Sequence, residues 1–171
     1  MSTEENKPLG IIIQKFEEFE LIIDSMIQNY NQISTKLNIL VIDKNFFSNQ
    51  NYQISNEIKS FIDKLKGINS YNNLFWLIQR KNNDPRKPNK VHNTTLIYPK
   101  ILAPYFHDRF LFVYDVESKR YLAQLNIGHS INGFYMKENF DIFRVSEVND
   151  DEREIILNQI KALFDFDLEK R

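Results

Sequence analysis

From Gly10 to Leu37 apolar side chains recur at Ile12, Phe16, Phe19, Ile23, Met26, Tyr30, Ile33 and Leu37. Steps that alternate between four and three place them along one side of an α-helix. Ile11, Ile13, Leu21, Ile22 and Ile27 widen the stripe beyond a two-stranded coiled-coil seam, so the helix is expected to bury itself against its own domain. The reading is a long N-terminal helix over 10–36 behind a loose polar tail over 1–9. The period then changes. Leu37-Asn38-Ile39-Leu40-Val41-Ile42 is a short apolar run closed by Asp43, the pattern of a strand covered on both faces.

After a polar loop over 45–52, Ser55 stands where it can cap a helix carrying Ile58, Phe61, Ile62 and Leu65, with Gly67 as the stop signal. The run 74–78 reads as a second buried strand, which makes strand, helix and strand a parallel βαβ unit. Residues 80–90 hold five cations, one Asp, two Pro and no large apolar side chain, a solvated loop. Strands are expected at 94–98, 109–116, 121–127 and 140–145, the middle two joined by a hairpin turn at 117–119. Asn149 with Glu152 three places on predicts the start of a last helix that buries Ile156, Ile160, Leu163 and Phe164. The expected architecture is therefore α/β: a mixed β-sheet of about five or six strands flanked by helices, forming one domain over 37–168 behind the N-terminal helix.

Composition narrows the chemistry. The 171 residues carry 22 Lys and Arg against 23 Asp and Glu, a net charge of -1, so any attraction to a polyanion has to come from a local patch. The absence of cysteine excludes a disulfide scaffold, a thiol nucleophile and thiolate metal sites, and fits a reducing, cytoplasmic setting. No run approaches the ~18 apolar residues of a membrane span, and residues 1–8 lack the apolar core of a secretion signal.

Two segments hold candidate chemistry. His107-Asp108-Arg109 stands directly before the apolar run 110–114, where an imidazole, a carboxylate and a guanidinium can combine acid–base and oxyanion chemistry. On an extended strand His107 and Arg109 share one face and Asp108 takes the other. The second segment, Ile127-Gly128-His129-Ser130-Ile131-Asn132-Gly133, ends a strand in small and hydrogen-bonding residues that let backbone N–H groups approach a phosphate. The predicted hairpin would return this turn beside His107. The bland alternatives are a structural ion pair at Asp108 and a plain strand-ending turn. His92 reads as a surface histidine and Trp76 as core. Arg80, Lys81, Arg86, Lys87 and Lys90 form the one local patch that could contact a polyanion, with no interleaved aromatic to stack on bases.

"HDRFLFVYD" followed by "IGHSING" resembles the phospholipase D-like superfamily, specifically its divergent single-motif bacterial and phage members. The upstream order also resembles it: a strand ending in Asp, a helix, a strand, a variable stretch, the His strand, a hairpin, and a last strand and helix. The resemblance spans roughly residues 37–165 and implies a phospholipase D-like half as the fold. It implies His107 as nucleophile, with Arg109, Ser130 and Asn132 on the phosphate oxygens, and Asp108, Gly128, His129 and Asp115 lining the pocket. It further implies a metal-independent phosphodiesterase or nuclease that needs no cofactor, passes through a covalent phosphohistidine and works as a homodimer in a bacterial conflict system. Two departures stand out. Arg109 replaces the family's lysine, and Tyr114 occupies the motif's aspartate position with Asp115 one place late, which turns that carboxylate to the other face unless a bulge intervenes. The other readings are a non-catalytic phosphate-binding module and a small immunity or interaction protein with a protein partner.

Overall fold

The computed structural model describes residues 11–13, 16–30, 36–43, 45–66, 72–78, 83–100, 108–128 and 143–171. They form strands β1 (Ile11–Ile13), β2 (Leu37–Ile42), β3 (Asn73–Leu77), β4 (Lys90–Val91), β5 (Thr94–Ile97), β6 (Arg109–Asp115), β7 (Arg120–Ile127) and β8 (Phe143–Glu147). Helices α1 (Phe16–Tyr30), α2 (Asn56–Lys66) and α3 (Asp150–Phe164) complete the α/β fold, with a 3-10 turn at Leu168–Lys170. The strands make one mixed sheet in the order β1-β8-β7-β6-β2-β3-β5-β4. Its size exceeds the five or six strands expected, because the two short edge strands β1 and β4 carry too few residues to show a period.

The expected long helix over 10–36 is corrected. The Ile11-Ile12-Ile13 triplet pairs antiparallel with β8 instead, consistent with the β preference of branched side chains, and α1 is 15 residues long. The central assignments hold. β2 is buried along its whole length, as its mostly apolar run requires. β2 and β3 are parallel neighbours around α2, and Ser55 Oγ accepts the Ile58 N–H at 3.2 Å to start that helix. At α3, Asn149 Oδ1 accepts the Glu152 N–H at 2.8 Å. The helix ends on Asp165 in the left-handed region, φ 52°, whose N–H returns to the Lys161 carbonyl.

Strand alternation sorts the core into two layers. Ile39, Val41, Trp76, Leu111 and Val113 pack under Phe19 and Ile23 of α1 and Ile58, Phe61, Ile62 and Leu65 of α2. Leu40, Ile42, Phe75, Phe110 and Phe112 pack under Ile160 and Phe164 of α3 together with Phe166 and Leu168. Among the described residues no helix is long and apolar enough to cross a membrane.

Candidate functional site at one sheet edge

Because β2, β3 and β5 are parallel and β6 runs against β2, the carboxyl ends of the first three meet the start of β6 at one edge. β7 ends there and β8 begins there. Ligand sites of open α/β sheets lie at this kind of edge, since the loops leaving the parallel strands converge on it. Asp108, Arg109 and Gly128 all fall on it, and so does the stretch 83–89 that follows β3.

The β6–β7 hairpin decides which residues meet. Arg109 pairs with Ile127 across the ladder, so Asp108 comes level with Gly128 at the open end. Asp108 and Gly128 are exposed and Arg109 is half-buried. By alternation Arg109 shares the face of Leu111 and Val113, the α1/α2 side. His107, His129, Ser130 and Asn132 lie outside the described residues, as do Arg80 and Lys81.

Asp115 is not part of this edge. It is the last residue of β6, six residues and therefore about 20 Å from Arg109 along the strand. Its carboxylate is spent on the hairpin turn: Oδ1 accepts the Glu117 N–H at 3.1 Å and Oδ2 the Ser118 hydroxyl at 2.7 Å. A bulge does exist in this hairpin, between Val113 and Tyr114. The register shows the extra residue to be Leu122 on β7, while β6 stays in unbroken register with β2, so the bulge does not turn Asp115 toward the motif's face.

A carboxylate outside both candidate segments reaches the edge. Asp43 follows Ile42, whose partner is Phe110, so the next step of the register sets Asp43 opposite Arg109. It is wholly buried. Its carbonyl accepts the Trp76 indole N–H at 2.6 Å and its Oδ1 accepts the Asn45 N–H at 3.0 Å. The available signal is an acid closing a strand that is apolar but for Asn38.

The basic loop is more tightly built than its composition suggests. Asp84 receives the backbone N–H of Arg86 and two of its guanidinium nitrogens at 2.9, 3.2 and 3.0 Å, and the Tyr52 hydroxyl at 2.9 Å. Those donors, Arg86 first, hold its carboxyl well below the usual carboxylate range. The Lys87 ammonium sits 4.7 Å from the Tyr98 ring centre, and the Tyr98 hydroxyl donates to the Pro88 carbonyl at 2.7 Å. Burial pushes that phenol up to about 12. Lys90 opens β4 on the surface. Its charge and, more strongly, partial burial lower the Lys66 ammonium, which reaches the Asn93 carbonyl at 3.2 Å. His92 occupies the β4–β5 hairpin turn with Asn93, at φ 49° and 61°, and its Nε2 lies 2.7 Å from Asp63 Oδ1. Trp76 is core.

No family model, no curated protein and no solved structure matches this chain.

Proposed function

We propose that this chain is a phospholipase D-like domain that handles phosphodiester or phosphate groups at the carboxyl edge of its sheet. The observation that carries the reading is the hairpin register that sets Arg109 against Ile127 and Asp108 level with Gly128. Two segments eighteen residues apart in the chain thereby share one end of the sheet, as an anion cradle built from both would require. The order of elements agrees with the resemblance: β2 followed at once by Asp43, then α2, β3, a variable stretch, β6, its hairpin partner β7, β8 and α3.

In the proposed reaction an imidazole nitrogen of His107 attacks phosphorus. A P–N bond forms, the P–O bond to the leaving group breaks, and the departing oxygen takes a proton from a second imidazole; water then cleaves the phosphohistidine. Arg109 neutralises the non-bridging oxygens, with Ser130 and Asn132 as further donors. Guanidinium stays protonated at all working pH, so Arg109 binds the phosphate and donates no proton. The second imidazole comes from another copy of the chain, as a single motif requires, or from His129. The setting proposed for such an activity is the cytoplasm, as a nuclease or phosphodiesterase in a bacterial or phage conflict system.

Hydrolysis of bis(p-nitrophenyl) phosphate in EDTA tests this. His107→Ala is expected to abolish turnover with the fold intact, and Arg109→Ala to weaken phosphate binding by roughly 1–3 kcal/mol. Turnover stopped by EDTA overturns the mechanism, and unchanged phosphate binding in Arg109→Ala overturns the site. A second reading, phosphate binding without cleavage, is favoured by the commitment of Asp115 to the far turn, which leaves the motif without its own aspartate. It predicts no turnover and the same loss in Arg109→Ala.

A further inference from the structure

Tyr114 stands where the motif expects its aspartate, and the fold brings a buried carboxylate to the working end of β6 from a different strand. We infer that Asp43 is the acidic positioning residue of the proposed anion site, ordering Arg109, which opens the neighbouring strand. The inference rests on the phosphate-handling reading above.

Three observations carry it. The β2–β6 register, read one step past Ile42 and Phe110, places Asp43 directly opposite Arg109. Opposed residues of an antiparallel pair have Cβ atoms about 4.5–5.5 Å apart when they share a face. They do share it: Ile39 and Val41 on β2 and Leu111 and Val113 on β6 belong to the α1/α2 layer, and residues 43 and 109 continue that alternation.

The second observation is burial. Asp43 has no solvent exposure. A carboxylate removed from water is costly unless cations and N–H donors surround it, and the Arg109 guanidinium on the adjacent strand is the cation that its position selects. The third is rigidity. The indole N–H of the buried Trp76 holds the Asp43 carbonyl at 2.6 Å, and the Asn45 N–H holds Oδ1 at 3.0 Å. The carboxylate is thus anchored from both its backbone and one oxygen, which is what a group that orients others needs.

Asp43→Asn is the informative change, because the amide oxygen can still accept the Asn45 N–H while the charge is lost. The readout is binding of inorganic phosphate to the full chain, which reports the site whether or not the protein turns over. Positioning predicts that Asp43→Asn weakens phosphate binding about tenfold, and that the same change does nothing further in an Arg109→Ala background. An unchanged affinity overturns the inference, as does an equal loss in the Arg109→Ala background. So does tighter binding, the signature of a carboxylate that merely repels the anion. Unchanged phosphate binding in Arg109→Ala removes the site itself, an outcome distinct from failure of Asp43 alone. Should Asp43→Asn not fold, the unmodified chain still decides: the Arg109 Nε–H resonance, assigned by its loss in Arg109→Lys, is expected to exchange slowly with water. Fast exchange overturns the inference.

Discussion

Asp115 and Asp43 show how little a carboxylate's identity says before its surroundings are known. Both close apolar strands, both are buried, and β6 and β2 lie side by side. Antiparallel pairing sends them to opposite ends of the sheet. Asp115 meets N–H and hydroxyl donors of its own turn, two and three residues on, and becomes a structural acceptor. Asp115→Ala is accordingly expected to cost about 1–3 kcal/mol in a denaturant melt by orphaning those donors, while phosphate binding by the folded variant stays as it was. A loss of phosphate affinity beyond that of the unfolded fraction would place Asp115 back in the site. The cations of the basic loop show the same dependence on surroundings. Arg86 is held on Asp84 and Lys87 lies over Tyr98, so the patch offers fewer uncommitted charges than its sequence counts.

At the scale of elements, the β6–β7 hairpin links turn chemistry to site geometry. The Asp115 turn sets where the ladder begins, and the Leu122 bulge resets it once before Ala123 and Val113 pair. From there the register runs without a break to Arg109 and Ile127, so the tip of the hairpin determines which residues are level at its open end. On the other face of the sheet α3 depends on its first turn. Asn149 accepts the Glu152 N–H, and Asp150, Asp151 and Glu152 lie where the positive end of the helix dipole favours acids. Replacing Asn149 by Ala is expected to destabilise the protein by about 1 kcal/mol in thermal or denaturant unfolding. No measurable change would mean that neighbouring groups cap the helix without it.

Across the whole molecule, the sheet is the element that both cores share, and the chain's last segment closes the lower one. Asn38, a polar residue inside an otherwise apolar strand, is fully buried because its amide donates to the carbonyls of Leu168 and Arg171, each at 3.0 Å, while its oxygen accepts from Asn73. The local pattern places the strand but gives no reason for the Asn, since the carbonyls that its amide meets lie 130 and 133 residues further on. Assembly is the remaining whole-molecule question that the proposed chemistry raises. A single copy of the motif supplies one His107, so the hydrolytic form of the proposal expects light scattering to give twice the 20.5 kDa of one chain. A monomer that still cleaves phosphodiesters would assign the second imidazole to His129, and an inactive monomer would leave the binding form.

What the chain determines locally is what its periods encode. β2, α2, β3, the β6–β7 hairpin and α3 are readable from alternation, helical spacing and caps, because each signal lies within a few residues of the structure it produces. The short strands β1 and β4 were not readable, since three and two residues carry no period and their pairing is with distant strands. The candidate site divides along the same line. His107, Arg109 and the turn after Ile127 stand out as residue types in a motif. Only the tertiary register could remove Asp115 to the far end of β6, bring Asp43 opposite Arg109, and gather the strand ends at one edge. Strand order and direction are set by burying both faces of the sheet at once, and no local stretch of sequence contains that information.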